Sequence, residues 1–162
     1  MRIRELDLRR IGPFTNQTLT FDQGEFGLHL VYGANEAGKS SSLRALTHWL
    51  FGMPGEMTSR DHFVHAYKDL RIGGTIENHD GETLTCIRRY GGQASLRGEN
   101  DRTKIDPSVL STFLGGLTRE QFETQFGIDI HQLVAGGRAI ASGGGEIGES
   151  LFAAGSLSLI HI

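Results

Sequence analysis

Residues 33–40 read Gly-Ala-Asn-Glu-Ala-Gly-Lys-Ser and match the pattern G-x-x-x-x-G-K-[ST] at every fixed position. An octet of this kind cradles a polyphosphate. Successive backbone N–H groups from Gly33, Ala34, Asn35, Glu36, Ala37 and Gly38 wrap the anion, and the two glycines stand where a Cβ would block the turn or the oxygens. Lys39 reaches the β- and γ-phosphates as a mobile point charge, and Ser40 offers its hydroxyl to Mg²⁺. The helix that opens here turns its positive end toward the same anion. Chance alone would give the match in roughly one such glycine-rich chain in a hundred.

The elements that must position the octet can be read on either side of it. Leu6 and Leu8 alternate with charges over residues 1–11, the mark of a half-buried strand, and Gly12-Pro13 breaks it. Residues 18–21 predict a second short strand. The apolar run 26–32, FGLHLVY, predicts a buried central strand that feeds the loop. Leu43, Leu46 and Leu50, with Trp49 flanking, form one stripe of a helix over 40–51, which Gly52, Pro54 and Gly55 end.

Residues 69–97 predict an antiparallel meander with Asp80-Gly81 as its hairpin turn and a return strand from Ala94 to Leu96. Helices resume with Asp106 as N-cap and Pro107 at N1, closed by Gly115-Gly116. Thr118 to Gln121 forms a capping box, after which Phe122 and Phe126 stack one turn apart. A last short helix is expected over 146–154.

Other residue sets carry less chemistry. His62 and His65 share the spacing of two metal ligands, without a Cys or carboxylate nearby to complete a set. Asp129 and His131 fall on one side of an extended segment but have no partner for acid–base work. No apolar strand ending in Asp follows residue 40, so the second acidic site of a working phosphate-loop enzyme is missing; residues 126–129 are the nearest approach.

A net charge of −3 and a pI of about 6.1 give no bulk electrostatic argument for nucleic acid. Two basic groups, Arg2, Arg4, Arg9 and Arg10, and then Arg88, Arg89, Arg97, Arg102 and Lys104, read as solvated strand faces. Cys86 is the single cysteine and reads as a small buried strand residue; it fits a reducing compartment. The charged N-terminus is no signal peptide, and no apolar run approaches a membrane span, so the expected location is cytoplasmic.

Strand, Ile11-Gly12-Pro13-Phe14, a second strand pair and GANEAGKSSSLRAL together resemble the N-terminal ATPase segment of SMC-like, ABC-type DNA-repair ATPases of the SbcC kind. The stretch FLGGLTREQFETQFGIDIHQLVAGGRAI and the later GEIGESLFAAG are most similar to the YhaN-type subgroup, and the likeness spans residues 1–155. The implied fold is α/β: the N-terminal lobe of a P-loop NTPase head with a mixed sheet, a flanking antiparallel meander and short C-terminal helices.

The resemblance implies ATP and Mg²⁺ as ligands, with Gly33 to Ser40 and Ser41 at the nucleotide and Ser40 at the metal. Position 41 is Ser where Thr is common in the family, which keeps a hydroxyl. A Gln that contacts Mg²⁺ or the attacking water is implied near the end of the lobe; Gln125 and Gln132 are the candidates, and the catalytic residues stay unassigned. Implied partners are a second head in a nucleotide sandwich, DNA, and a nuclease.

In such proteins a coiled coil and a C-terminal lobe follow, and residues 156–162 no longer continue the likeness, so a truncated or artificially ended reading frame is expected. Two other readings remain at this point. One is a self-contained small P-loop NTPase or kinase; the other is an interaction module with a degenerate loop.

Overall fold

A computed structural model describes residues 1–21, 29–92, 95–127 and 130–142. The chain divides into two compact units, 1–123 and 124–162. The first holds a five-stranded sheet: β1 (Arg2–Ile11), β2 (Phe14–Thr20), β3 (Arg71–Glu77), β4 (Thr83–Arg89) and β5 (Leu96–Gly98), in the order β2-β1-β3-β4-β5. Every pairing is antiparallel. Helix α1 (Lys39–Phe51) packs across β1, β3 and β4, and a single turn, α2 (Ser59–His62), lies beside it. Helices α3 (Pro107–Leu114) and α4 (Arg119–Gln125) follow the sheet, and α5 (Ile130–Ala141) belongs to the second unit.

Local chemistry sets most of these boundaries. Leu6 and Leu8 of β1 are buried, as their alternation requires, and Ile11 joins them. The turn at Asp80-Gly81 closes the β3–β4 hairpin, with Asn78 Oδ1 accepting from the amides of Asp80 and Glu82. Asp106 caps α3 by accepting from the Ser108 amide at 2.8 Å, and Gly115 ends the helix in the left-handed region at φ 61°. The Thr118–Gln121 box forms reciprocally, with bonds of 3.0 and 3.2 Å.

Several expectations give way. The sheet is antiparallel throughout the described residues rather than mixed. The meander does not flank a separate sheet but continues the first one, because β3 hydrogen-bonds directly to β1. The return strand is Leu96–Gly98 rather than one beginning at Ala94, which lies outside the described residues. The described part of the run 26–32 supplies no buried central strand. Residues 26–28 are outside the description, His29–Tyr32 form no strand, and Leu30 and Tyr32 are 75% and 86% exposed. A central strand needs hydrogen-bonded neighbours, and among the described residues no strand pairs with 29–32. Phe122 is buried, with its ring centroid 5.5 Å from that of Phe51. The helix expected at 146–154 falls outside the described residues.

The buried face of α1 centres on Ala45 and Trp49, with Leu50, rather than on the leucine stripe; Leu43 and Leu46 are half-buried. Trp49 packs against the backbone of β3 where Gly74 leaves room. A Cβ at Gly74 would stand 2.8 Å from the indole ring and 2.6 Å from the Glu5 carbonyl. The indole N–H donates to the Cys86 carbonyl at 3.1 Å. Burial pushes the Cys86 thiol up to about 11, which makes it an inert core group.

Arg88 points inward from β4 and donates to the Trp49 and Leu50 carbonyls at 3.1 Å each, so a guanidinium closes the C-terminal end of α1. The other arginines divide between pairs and solvent. Arg4 binds Glu77, Arg9 binds Asp7, and Arg71 and Arg89 share Asp101. In the first basic group Arg4 and Arg9 are thus paired with carboxylates; in the second, Arg89 is paired and Arg88 is buried rather than part of a solvated face.

Trp49→Ala should lower stability by about 3–5 kcal/mol in urea unfolding, the usual cost of removing a buried aromatic ring. A loss under 1 kcal/mol would mean that α1 is not seated on Gly74 as described.

Candidate functional site

Gly38 sits in the left-handed region at φ 94° and serves as N-cap of α1 without any side-chain cap. Lys39, Ser40 and Ser41 are therefore the first helical residues, and their amides have no carbonyl to bind within the helix. An uncapped, solvent-facing N-terminus of a thirteen-residue helix leaves its donors and its positive dipole end for an anion. Glu36, also left-handed at φ 67°, turns the backbone ahead of it.

The Lys39 ammonium curls over the loop and donates to the Gly33 and Ala34 carbonyls, both at 2.7 Å. Two of its three N–H groups are thereby used to hold the loop's shape. The Ala37 amide closes the loop on the Ala34 carbonyl at 3.2 Å.

The turn between β1 and β2 forms the floor. Phe14 lies directly beneath Gly38, and a Cβ there would come within 2.4 Å of the phenyl ring, so only glycine fits on steric as well as torsional grounds. The turn is itself tied down. The Gly12 amide donates to the Asp61 carbonyl at 2.5 Å, and His65 Nε2 donates to the Phe14 carbonyl at 2.8 Å.

Above this floor opens a cleft of about 600 Å³. Asn35, Glu36, Gly38, Lys39, Ser40 and Ser41 wall it on the loop side, and Pro13, Arg44, Arg60 and Phe63 on the other. Gly33, Ala34 and Ala37 belong to the loop but do not line the cleft. Phe63 takes an unusual backbone conformation, φ 49° and ψ −107°, and is 61% exposed at the cleft's edge.

His62 and His65 do not converge. His62 packs edge-on against Tyr67, and His65 is occupied by the Phe14 carbonyl. Among the described residues no three His, Cys, Asp or Glu side chains gather as a metal set. Asp129 lies outside the described residues, and so do the side chains of His131 and Gln132, whose backbone falls in α5. Gln125 is the last residue of α4.

Sequence reasoning missed Arg44, Arg60, Asp61 and Phe63. A signal existed for Asp61 alone: Thr58-Ser59-Arg60-Asp61 has the capping-box form, and both of its bonds are present. Beneath the loop helix, His48 is buried with both ring nitrogens unpartnered. Asp61 Oδ1 is 3.7 Å away, too long for a hydrogen bond. Burial holds the His48 imidazole below its ordinary 6.5, a pull that the nearby Asp61 charge only partly offsets. Burial alone would raise Asp61, but hydrogen bonds from Thr58 and Arg44 outweigh it and leave the carboxyl below its ordinary 3.8.

These features define an AAA domain, and the comparisons agree. The family model described as "AAA domain" matches residues 1–160, and the chain belongs to that family. It is 28% identical over 137 residues to a protein of Bacillus subtilis (strain 168) named "Uncharacterized protein YhaN". The match takes in 82% of this chain and 13% of that protein. No helix among the described residues is long and apolar enough to cross a membrane.

Both shifts in the His48–Asp61 pair run the same way. A folded-state value below the unfolded one contributes stability in full above the unfolded value, and that contribution is lost as pH falls through the folded value. The urea midpoint should therefore begin to fall just below pH 6.5, before carboxylates titrate, with Asp61 adding to the loss below 3.8. His48→Phe should remove the first part of the decline. An unchanged profile in that variant would contradict the assignment.

Proposed function

We propose that this chain binds ATP with Mg²⁺ as the N-terminal lobe of a P-loop ATPase head of the ABC and SMC-like kind. One observation carries the reading: the octet's loop, the uncapped N-terminus of α1 and the Lys39 ammonium converge on one solvent-open cleft. Residues 33–41 fit a nucleotide's phosphates, since the orphan amides of the first helical turn match anionic oxygens and Lys39 retains an N–H for them. Ser40, exposed at the helix start, would offer its hydroxyl to Mg²⁺. Arg60 and Phe63 offer a cation and an aromatic face at the rim to the rest of the nucleotide.

Hydrolysis needs acidic residues at the end of an apolar strand, and among the residues lining this cleft the carboxylate is Glu36 of the loop itself; we assign the hydrolytic carboxylates to a C-terminal lobe and the signature segment to a second head. The exposed run Leu30, Val31 and Tyr32, immediately before the loop, supports that assignment because it offers apolar surface for further strands to cover. A role in DNA double-strand-break repair or DNA metabolism, with DNA and a nuclease as partners, follows from the family likeness alone.

Titration with the fluorescent nucleotide mant-ATP in the presence of Mg²⁺ tests the reading. Lys39→Ala should weaken binding by roughly a hundredfold, the scale of one or two lost charge-assisted hydrogen bonds. Equal affinities for wild type and variant would contradict it.

A further inference from the structure

Behind the phosphate loop runs a chain of hydrogen bonds that the octet does not contain. The Asp61 carboxylate caps α2: its Oδ2 accepts from the Thr58 amide at 3.2 Å and from the Thr58 hydroxyl at 2.6 Å. Its Oδ1 accepts from Arg44 Nε at 3.0 Å. Arg44 Nη2 then donates to Ser41 Oγ at 3.1 Å. The chain leads from a carboxylate only 7% exposed to the wall of the cleft, where Arg44 and Ser41 both stand.

The direction of these bonds matters. A guanidinium only donates, so Ser41 Oγ must be the acceptor, and the serine's own proton is left to point elsewhere. A helical serine commonly sends that proton back to the carbonyl four residues earlier. Ser42 does so, donating to the Gly38 carbonyl at 3.2 Å. Among the described residues Ser41 has no such acceptor. Its hydroxyl is held by the oxygen, with its donor free, beside the first-turn amides of α1.

We propose that Arg44, locked by Asp61, is a positioning residue that presets the Ser41 hydroxyl as a donor to a phosphate oxygen of the bound nucleotide. The proposal rests on the reading of the cleft as a nucleotide site. Asp61 has two functions in it, capping α2 and fixing the guanidinium. A planar fork is needed because one side chain must serve a carboxylate and a hydroxyl at once, which a lysine ammonium cannot do with the same geometry.

Mant-ATP titrations with Mg²⁺ on wild type, Arg44→Gln, Ser41→Ala and the double variant test it. Each single change should weaken binding roughly three- to tenfold, the scale of one hydrogen bond, and the double variant should bind no more weakly than Ser41→Ala. Losses that multiply in the double variant would overturn the proposal, since Arg44 would then act on the ligand directly or through its charge. Arg44→Lys keeps the charge without the fork and should lose as much as Arg44→Gln, which also covers the case in which the glutamine variant fails to fold. Wild-type affinity in the lysine variant would overturn the proposal. If Lys39→Ala loses binding while the Arg44 and Ser41 variants bind like wild type, this inference alone falls. If wild type itself does not bind mant-ATP, the reading of the cleft fails and takes the inference with it.

Discussion

The contact between Trp49 and the bare backbone of Gly74 holds α1, the longest helix among the described residues of the first unit, to its sheet. Because Lys39 and Ser40 begin that helix, the seat of its far end also sets the direction in which its first turn points. Arg88 reinforces the seat by binding the Trp49 and Leu50 carbonyls, so the helix is anchored at its C-terminal end by a side chain buried in the sheet. Its N-terminal end carries no side-chain cap. The asymmetry leaves the donors of that end available to a ligand, while packing at the other end supplies the stability.

A second constraint fixes the loop from below. Phe14 occupies the space where any side chain at position 38 would stand, and the turn that carries Phe14 is tied to the 58–65 segment through Gly12 and His65. The same segment provides Asp61, which reaches α1 through Arg44. Turn, loop, α1 and α2 thus form one connected frame around the cleft. A phosphate-binding backbone needs such support, because its donors are useful only if they do not have to reorganise when the anion arrives.

Much of this was legible in the residues. The octet announced its own conformation because its demands are made by glycine torsions and helix-start chemistry, which are local. The alternation of Leu6 and Leu8, the Asp80-Gly81 turn and the caps at Asp106 and Thr118 are local too, and each formed as read. The strand expected at 26–32 is absent from its described part, 29–32, for a non-local reason. Its apolar character reports what it could pair with, and no neighbouring strand stands beside the described part of it. Arg44 and Arg60 were invisible as site residues, since an arginine on a helix face looks the same whether it meets solvent or lines a cleft. The YhaN-type likeness placed the chain in its family, while the Trp49–Gly74 seat and the Phe14 floor emerged only from the packing.

The central claim is that the backbone of residues 35–41, at the start of α1, receives the phosphates of a nucleotide. Amide hydrogen exchange with and without Mg²⁺ and ATP measures that most directly. The account predicts slowed exchange concentrated at the amides of 35–41, with the β4 and β5 strands unchanged. Binding without protection at those amides, or protection confined to other parts of the chain, would contradict it.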